Sequence, residues 1–125
     1  MPIVTVSGLP NGFEQDFLTR LCIALRVAVA GVAELGITDK QVTVFFPDNL
    51  LQAGLGEEVI ARVTELFGRP ERTPEVKRRV AEAVKKCLRF HLTPALQGLA
   101  LVEVFVYTFD PEVGGFAGWT KEPAG

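Results

Sequence analysis

The chain has 125 residues and reads as a single domain over 1–125. Apolar residues make up 48%, charged residues 22%, and the formal net charge is −2. That balance supports a packed core and argues against a nucleic-acid-binding surface. No stretch reaches the roughly 18 uninterrupted apolar residues of a membrane span, and the Met1-Pro2-Ile3 start lacks the charged segment of a secretory leader.

A first strand is predicted over 3–7, short and rich in β-branched residues. Gly8 to Gly12 makes a turn. Asn11 and Glu14 have the spacing of a helix cap and its reciprocal partner. Phe17, Leu21, Ala24, Leu25, Ala28, Val32 and Leu35 recur at helical spacing, which predicts a helix over about 13–35 stopped by Gly36. A second strand, 41–46, ends at Pro47-Asp48-Asn49, and Gly54 and Gly56 bracket a loop. A third strand is predicted over 58–67.

Thr73-Pro74-Glu75 opens a second helix with a capping hydroxyl, a proline at the first helical position and an acid in the first turn. It runs to about Leu92, with Val76, Val80, Ala83, Val84, Cys87 and Leu88 as its buried stripe, and Thr93-Pro94 stops it. A fourth strand covers 99–107, and the tail from Asp110 reads as loop or a short hairpin. Lys77-Arg78-Arg79 and Lys85-Lys86 lie within the second helical pattern and read as a solvated face. Cys22 and Cys87 lack Cys-x-x-Cys spacing and read as core thiols of a cytoplasmic protein.

The order is β-α-β-β-α-β. Shifted by 60 positions without a gap, Gly8 and Pro10 fall on Gly68 and Pro70, and Val42, Val44 and Phe45 fall on Val102, Val104 and Phe105. This pattern reads as a duplicated β-α-β unit, with repeats over about 2–54 and 58–120. Right-handed crossovers then give an α+β two-layer sandwich: a four-stranded sheet with both helices on one face. Thr43, Phe45, Glu103 and Phe105 alternate with the core valines and fall on the other face. Phenylalanines there call for cover, which self-association supplies.

With these residues in place, the chain resembles the tautomerase superfamily, which includes 4-oxalocrotonate tautomerase and macrophage migration inhibitory factor. The likeness rests on Met1-Pro2-Ile3-Val4-Thr5-Val6, on Val42 to Leu51, on Gly68-Arg69, and on Val102 to Tyr107 with the Gly114-Gly115-Phe116-Ala117-Gly118-Trp119 tail. It implies a homotrimer and a small-molecule substrate, a 2-oxo acid or enol, with no cofactor, metal, nucleic acid or membrane. It also implies that Pro2 becomes the N-terminal residue and serves as catalytic acid/base, with Arg69 at the family's Gly-Arg position. Phe116 and Trp119 match aromatic residues in the family's tails and would wall the pocket. Thr43 and Glu103 stand where one branch has a mid-strand arginine, and Ile37 stands where another has a lysine, with Lys40 nearby but offset.

A terminal proline is a secondary amine with a reference pKa near ~8, which burial or a nearby cation lowers toward neutrality. Such a base can take a proton from carbon next to a carbonyl. The plain reading of Pro2 is a strand-start proline without chemistry. Arg69 can bind a carboxylate or a developing enolate, or be a surface arginine, and on the gapless alignment it serves either the Pro2 site or the repeat-related site, where Arg62 replaces the proline. Glu103 can hold a proton or water, leaving hydration chemistry of the dehalogenase or decarboxylase kind open, or pair with a base. Thr43, Phe45 and Tyr107 complete the candidate substrate-binding set, and Tyr107 equally suits strand packing. Two further readings stay open: a catalytically silent protein of this fold that binds a ligand or partner, and a ferredoxin-like regulatory module.

Overall fold

The computed structural model describes residues 1–49, 53–54 and 56–121. Strand β1 (Ile3–Ser7) lies inside a four-stranded sheet of order β2-β1-β3-β4. It pairs in parallel with β2 (Thr43–Phe45) and antiparallel with β3 (Glu57–Phe67), and β3 pairs in parallel with β4 (Leu99–Phe109). Helices α1 (Gln15–Ala30) and α2 (Pro74–Leu92) are the two crossovers. Val4, Val6, Val59, Ala61 and Val63 alternate along the central strands and are fully buried against Leu21, Leu25, Val80, Val84 and Leu88 of the helices. Each of these Val and Leu side chains contributes about 1.5–3 kcal/mol through burial. The predicted two-layer α+β architecture is therefore the one observed.

Local chemistry accounts for α2. The Thr73 hydroxyl accepts from Val76 N at 3.2 Å, and Pro74 takes the first helical position. The basic cluster on α2 is solvated as expected: Lys85 pairs with Glu82 at 2.8 Å, Arg78 with Glu75 at 3.4 Å, and Arg79 with Glu34.

The first helix is shorter than its periodicity predicts. It ends at Ala30, next to Gly31, and a 3-10 turn over Ala33–Leu35 carries the apolar pattern onward, closed by Gly36 at φ 64°. Glu14 stands at its N-cap without a side-chain bond. Asn11 does not cap: its Nδ2 donates to the Asn49 carbonyl at 3.2 Å, and its Oδ1 accepts from Asn49 N at 3.4 Å. A second 3-10 turn, Asp39–Gln41, takes the place of the start of the predicted second strand. Past β4 the tail forms one helical turn, Pro111–Gly114, with Asp110 Oδ1 accepting from Glu112 N at 2.9 Å, rather than a hairpin. Leu50, Leu51 and residues 122–125 lie outside the described residues.

Strand register corrects the gapless alignment of the two halves. Ile3 sits opposite Thr43, and Ile60 sits opposite Glu103, so Ile60 is the counterpart of Ile3 and Val59 that of Pro2. Arg62 is not at the Pro2 place. It faces the other side of the sheet, opposite Thr5 and Phe105. The two halves fall back into step through a bulge. Val6 and Gly8 are two positions apart, whereas Val63 and Gly68 are five apart, and the ladder shifts between Val63 and Leu66. Glu65, inside that bulge, has φ 58°.

Candidate active site

Pro2 heads β1 on the core-facing side. It is buried, and its carbonyl oxygen accepts from Thr43 N at 3.1 Å. A proline at a strand head removes no ladder donor that the sheet needs. Across from it, β3 ends and the chain turns toward α2, which brings Arg69 and Arg72 alongside. Pro2, Glu65, Phe67, Arg69 and Arg72 line one cavity of about 170 Å³, with Met1, Ile37 and Gln41 at its walls.

Arg72 is only 8% exposed. Its Nη1 donates to the Phe67 carbonyl at 2.6 Å and its Nη2 to the Leu35 carbonyl at 2.9 Å, while its Nε is buried without a partner. Burial lowers its pKa, the Arg69 charge lowers it further, and Glu71 acts in the opposite sense. A guanidinium still stays charged at neutral pH. The cavity wall is therefore cationic next to Pro2.

The structure brings Pro2 and Arg69 to the wall of one cavity within a single chain. Thr43 adjoins Pro2 through the backbone bond, and Ile37 lines the cavity where Lys40 does not. The Phe116 ring stands edge-on to Phe67 at 5.0 Å between centroids, so it backs the cavity wall. Trp119 is 84% exposed. Phe45 on β2 and Tyr107 on β4 are exposed on the open face of the sheet. Glu103, also exposed there, sits opposite Ile60 and does not line the Pro2 cavity of its own chain. On the same face the Arg62 guanidinium lies 5.9 Å from the Phe105 ring centroid, within cation–π range.

Glu65 and Arg72 escaped the sequence reading. One signal for Glu65 is in the sequence: the apolar alternation Val59, Ala61, Val63 resumes at Leu66 rather than at position 65, the mark of an inserted bulge residue. Arg72 carries no such signal, because its partners are backbone carbonyls.

This arrangement is a tautomerase fold with a proline at the head of its first strand. The chain is similar to a fused 4-OT solved as a wild-type asymmetric trimer, with 18% identity, 94% of each chain covered and a TM-score of 0.71. It is similar to a native fused 4-OT at 22% identity over 94% of each chain, with a TM-score of 0.69. A malonate semialdehyde decarboxylase inhibited by 3-bromopropiolate matches at 21% identity over 94% of this chain and 91% of that one, with a TM-score of 0.60. No protein-family model and no curated protein matches the sequence.

Proposed function

We propose that the chain is an isomerase of the tautomerase type. Pro2, made N-terminal by removal of Met1, moves a proton between carbon and oxygen of a small 2-oxo acid or its enol. The observation that carries this reading is the meeting of Pro2, Arg69 and Arg72 in one cavity. Two guanidiniums, opposed in part by the Glu65 carboxylate, and burial disfavour a protonated amine, which is what a base near neutral pH requires. Met1 also lines the cavity, so its removal frees the amine at that place.

The neutral amine takes the proton from the carbon next to the carbonyl. The C–H electron pair becomes the C=C bond, and the C=O pair moves onto oxygen, where Arg69 meets the developing charge. The prolinium then returns the proton to oxygen. The Pro2 ring fixes the direction of the lone pair throughout. Phe67, backed by Phe116, supplies an apolar wall.

Self-association completes the reading. Phe45, Phe105 and Tyr107 stand on an uncovered sheet face, and a homotrimer covers it, as in the fused 4-OT structures described as trimers. Sedimentation of the whole chain tests this; a monomer at micromolar concentration refutes it. Cys22 and Cys87 are free thiols, which suits a cytoplasmic setting. Among the described residues no helix is long and apolar enough to cross a membrane.

The test of the chemistry pairs intact mass with a tautomerase assay on phenylpyruvate and 2-hydroxymuconate, comparing the native chain with Pro2→Ala. Met1 removal and activity lost in the variant support the proposal. Equal activity in both, or none in either, sinks it. Absence of activity in both favours the second reading, a catalytically silent binder. That reading draws on Thr43 and Glu103, which stand at the mid-strand positions where the resembled branch carries arginine.

A further inference from the structure

The bulge in β3 has no counterpart in β1. Between Val63 and Gly68 the chain carries three residues more than between Val6 and Gly8, and the added length lies beside Pro2. Within it Glu65 holds φ 58°, and it is the one non-glycine residue with positive φ among those described. Such a conformation costs a β-strand residue about 1–2 kcal/mol. The side chain presented at this cost is a carboxylate lining a cavity whose other charges are Arg69 and Arg72.

These charges differ in what they can offer a ligand. Both terminal nitrogens of Arg72 donate to backbone carbonyls, of Phe67 and Leu35. Arg69 is exposed, and no bond among the described residues occupies its guanidinium. One guanidinium fork is therefore available, and one fork takes one carboxylate. A carboxylate on Arg69 uses the one free fork that this chain brings to the cavity, and a second carboxylate would meet Glu65.

We infer that the cavity selects a small 2-oxo monocarboxylate, Arg69 binding its carboxylate and Glu65 turning away ligands that carry a second one. This rests on the reading of the Pro2 cavity as the substrate site and adds the residue that sets its selectivity.

The probes are 2-oxopentanoate and 2-oxoglutarate, which share a five-carbon chain and differ by a terminal carboxylate. Dissociation constants are measured by NMR titration of the whole Met1-processed chain, with native protein, Glu65→Gln and Glu65→Lys. Glu65 is exposed, so both variants keep the fold, and their melting curves verify it. The native chain should prefer the monocarboxylate by roughly tenfold, as like-charge repulsion at a few ångströms in a partly solvated site implies. Glu65→Gln should narrow the preference to about threefold or less, and Glu65→Lys should reverse it. A preference unchanged in both variants, a native preference for the diacid, or no binding of either acid overturns the inference. Exchange of the C-3 protons with deuterated water is read separately. Selective binding without exchange refutes the catalytic reading and keeps the selectivity, whereas exchange without Glu65-dependent selectivity does the reverse.

Discussion

The Arg72 guanidinium donates to the Leu35 carbonyl oxygen at 2.9 Å, across 37 positions of sequence. It also donates to Phe67 at 2.6 Å. One buried cation thus ties the turn after α1 to the end of β3, and the floor of the Pro2 cavity depends on it. Arg72→Met should take the Arg72 donors from one buried and one part-buried carbonyl and lower stability by about 2–3 kcal/mol. Urea unfolding measures this. Arg72→Lys should fall between, because one ammonium cannot reproduce the fork. A loss below about 0.5 kcal/mol in Arg72→Met refutes the role.

Gly8 has φ 97°, and a Cβ there would run into the Glu58 carbonyl oxygen. Gly36 has φ 64° with nothing near its missing Cβ. Gly8→Ala should therefore cost more than about 3 kcal/mol, while Gly36→Ala should cost about 1 kcal/mol, the strain of the left-handed backbone alone. Equal losses in chemical denaturation would contradict the backbone clash at Gly8.

Glu65→Gly relieves the same kind of strain. It should raise stability by about 1 kcal/mol while weakening discrimination between mono- and dicarboxylates. A destabilised Glu65→Gly chain would mean that the Glu65 side chain is held by favourable contacts instead.

Burial pushes the Cys87 thiol up from 9.0 to about 11. Below pH 9 the thiol is protonated in folded and unfolded chains alike and has no effect on pH dependence. As pH rises from about 9 to about 11 the unfolded chain ionises first, so stability should fall across that window. Cys87→Ser removes this fall, and thermal melts between pH 8 and 11 read it. Iodoacetamide should also label Cys87 slowly in the folded chain at pH 8.

Arg69→Ala should raise KM by about tenfold or more for a 2-oxo acid and lower kcat as well, since one fork serves both the carboxylate and the developing oxyanion. Arg69→Lys should recover part of the KM effect. A purely structural Arg69 would change melting temperature and leave both constants alone.

The sequence by itself determined the elements whose causes are local. Thr73 and Pro74 start α2 because a hydroxyl three residues from a backbone N–H finds it without help from the rest of the chain. The valine alternation in β1, β3 and β4 already assigns one face of each strand to the core, and so predicts the open face with Phe45 and Phe105. Pro2 and Gly68-Arg69 were singled out through the resemblance to the tautomerase superfamily rather than by local physics. Tertiary structure alone decided the rest. Asn11 bonds Asn49 rather than capping α1, because a partner 38 positions away competes with the local N–H groups. Val59, not Arg62, takes the place of Pro2 in the second half, because strand pairing slips where a bulge absorbs residues that a gapless comparison cannot see. The cavity itself is a meeting of β1, the end of β3 and the turn before α2. Its cations and its strained carboxylate converge only when a sheet folds those segments onto one another, which no spacing along the chain encodes.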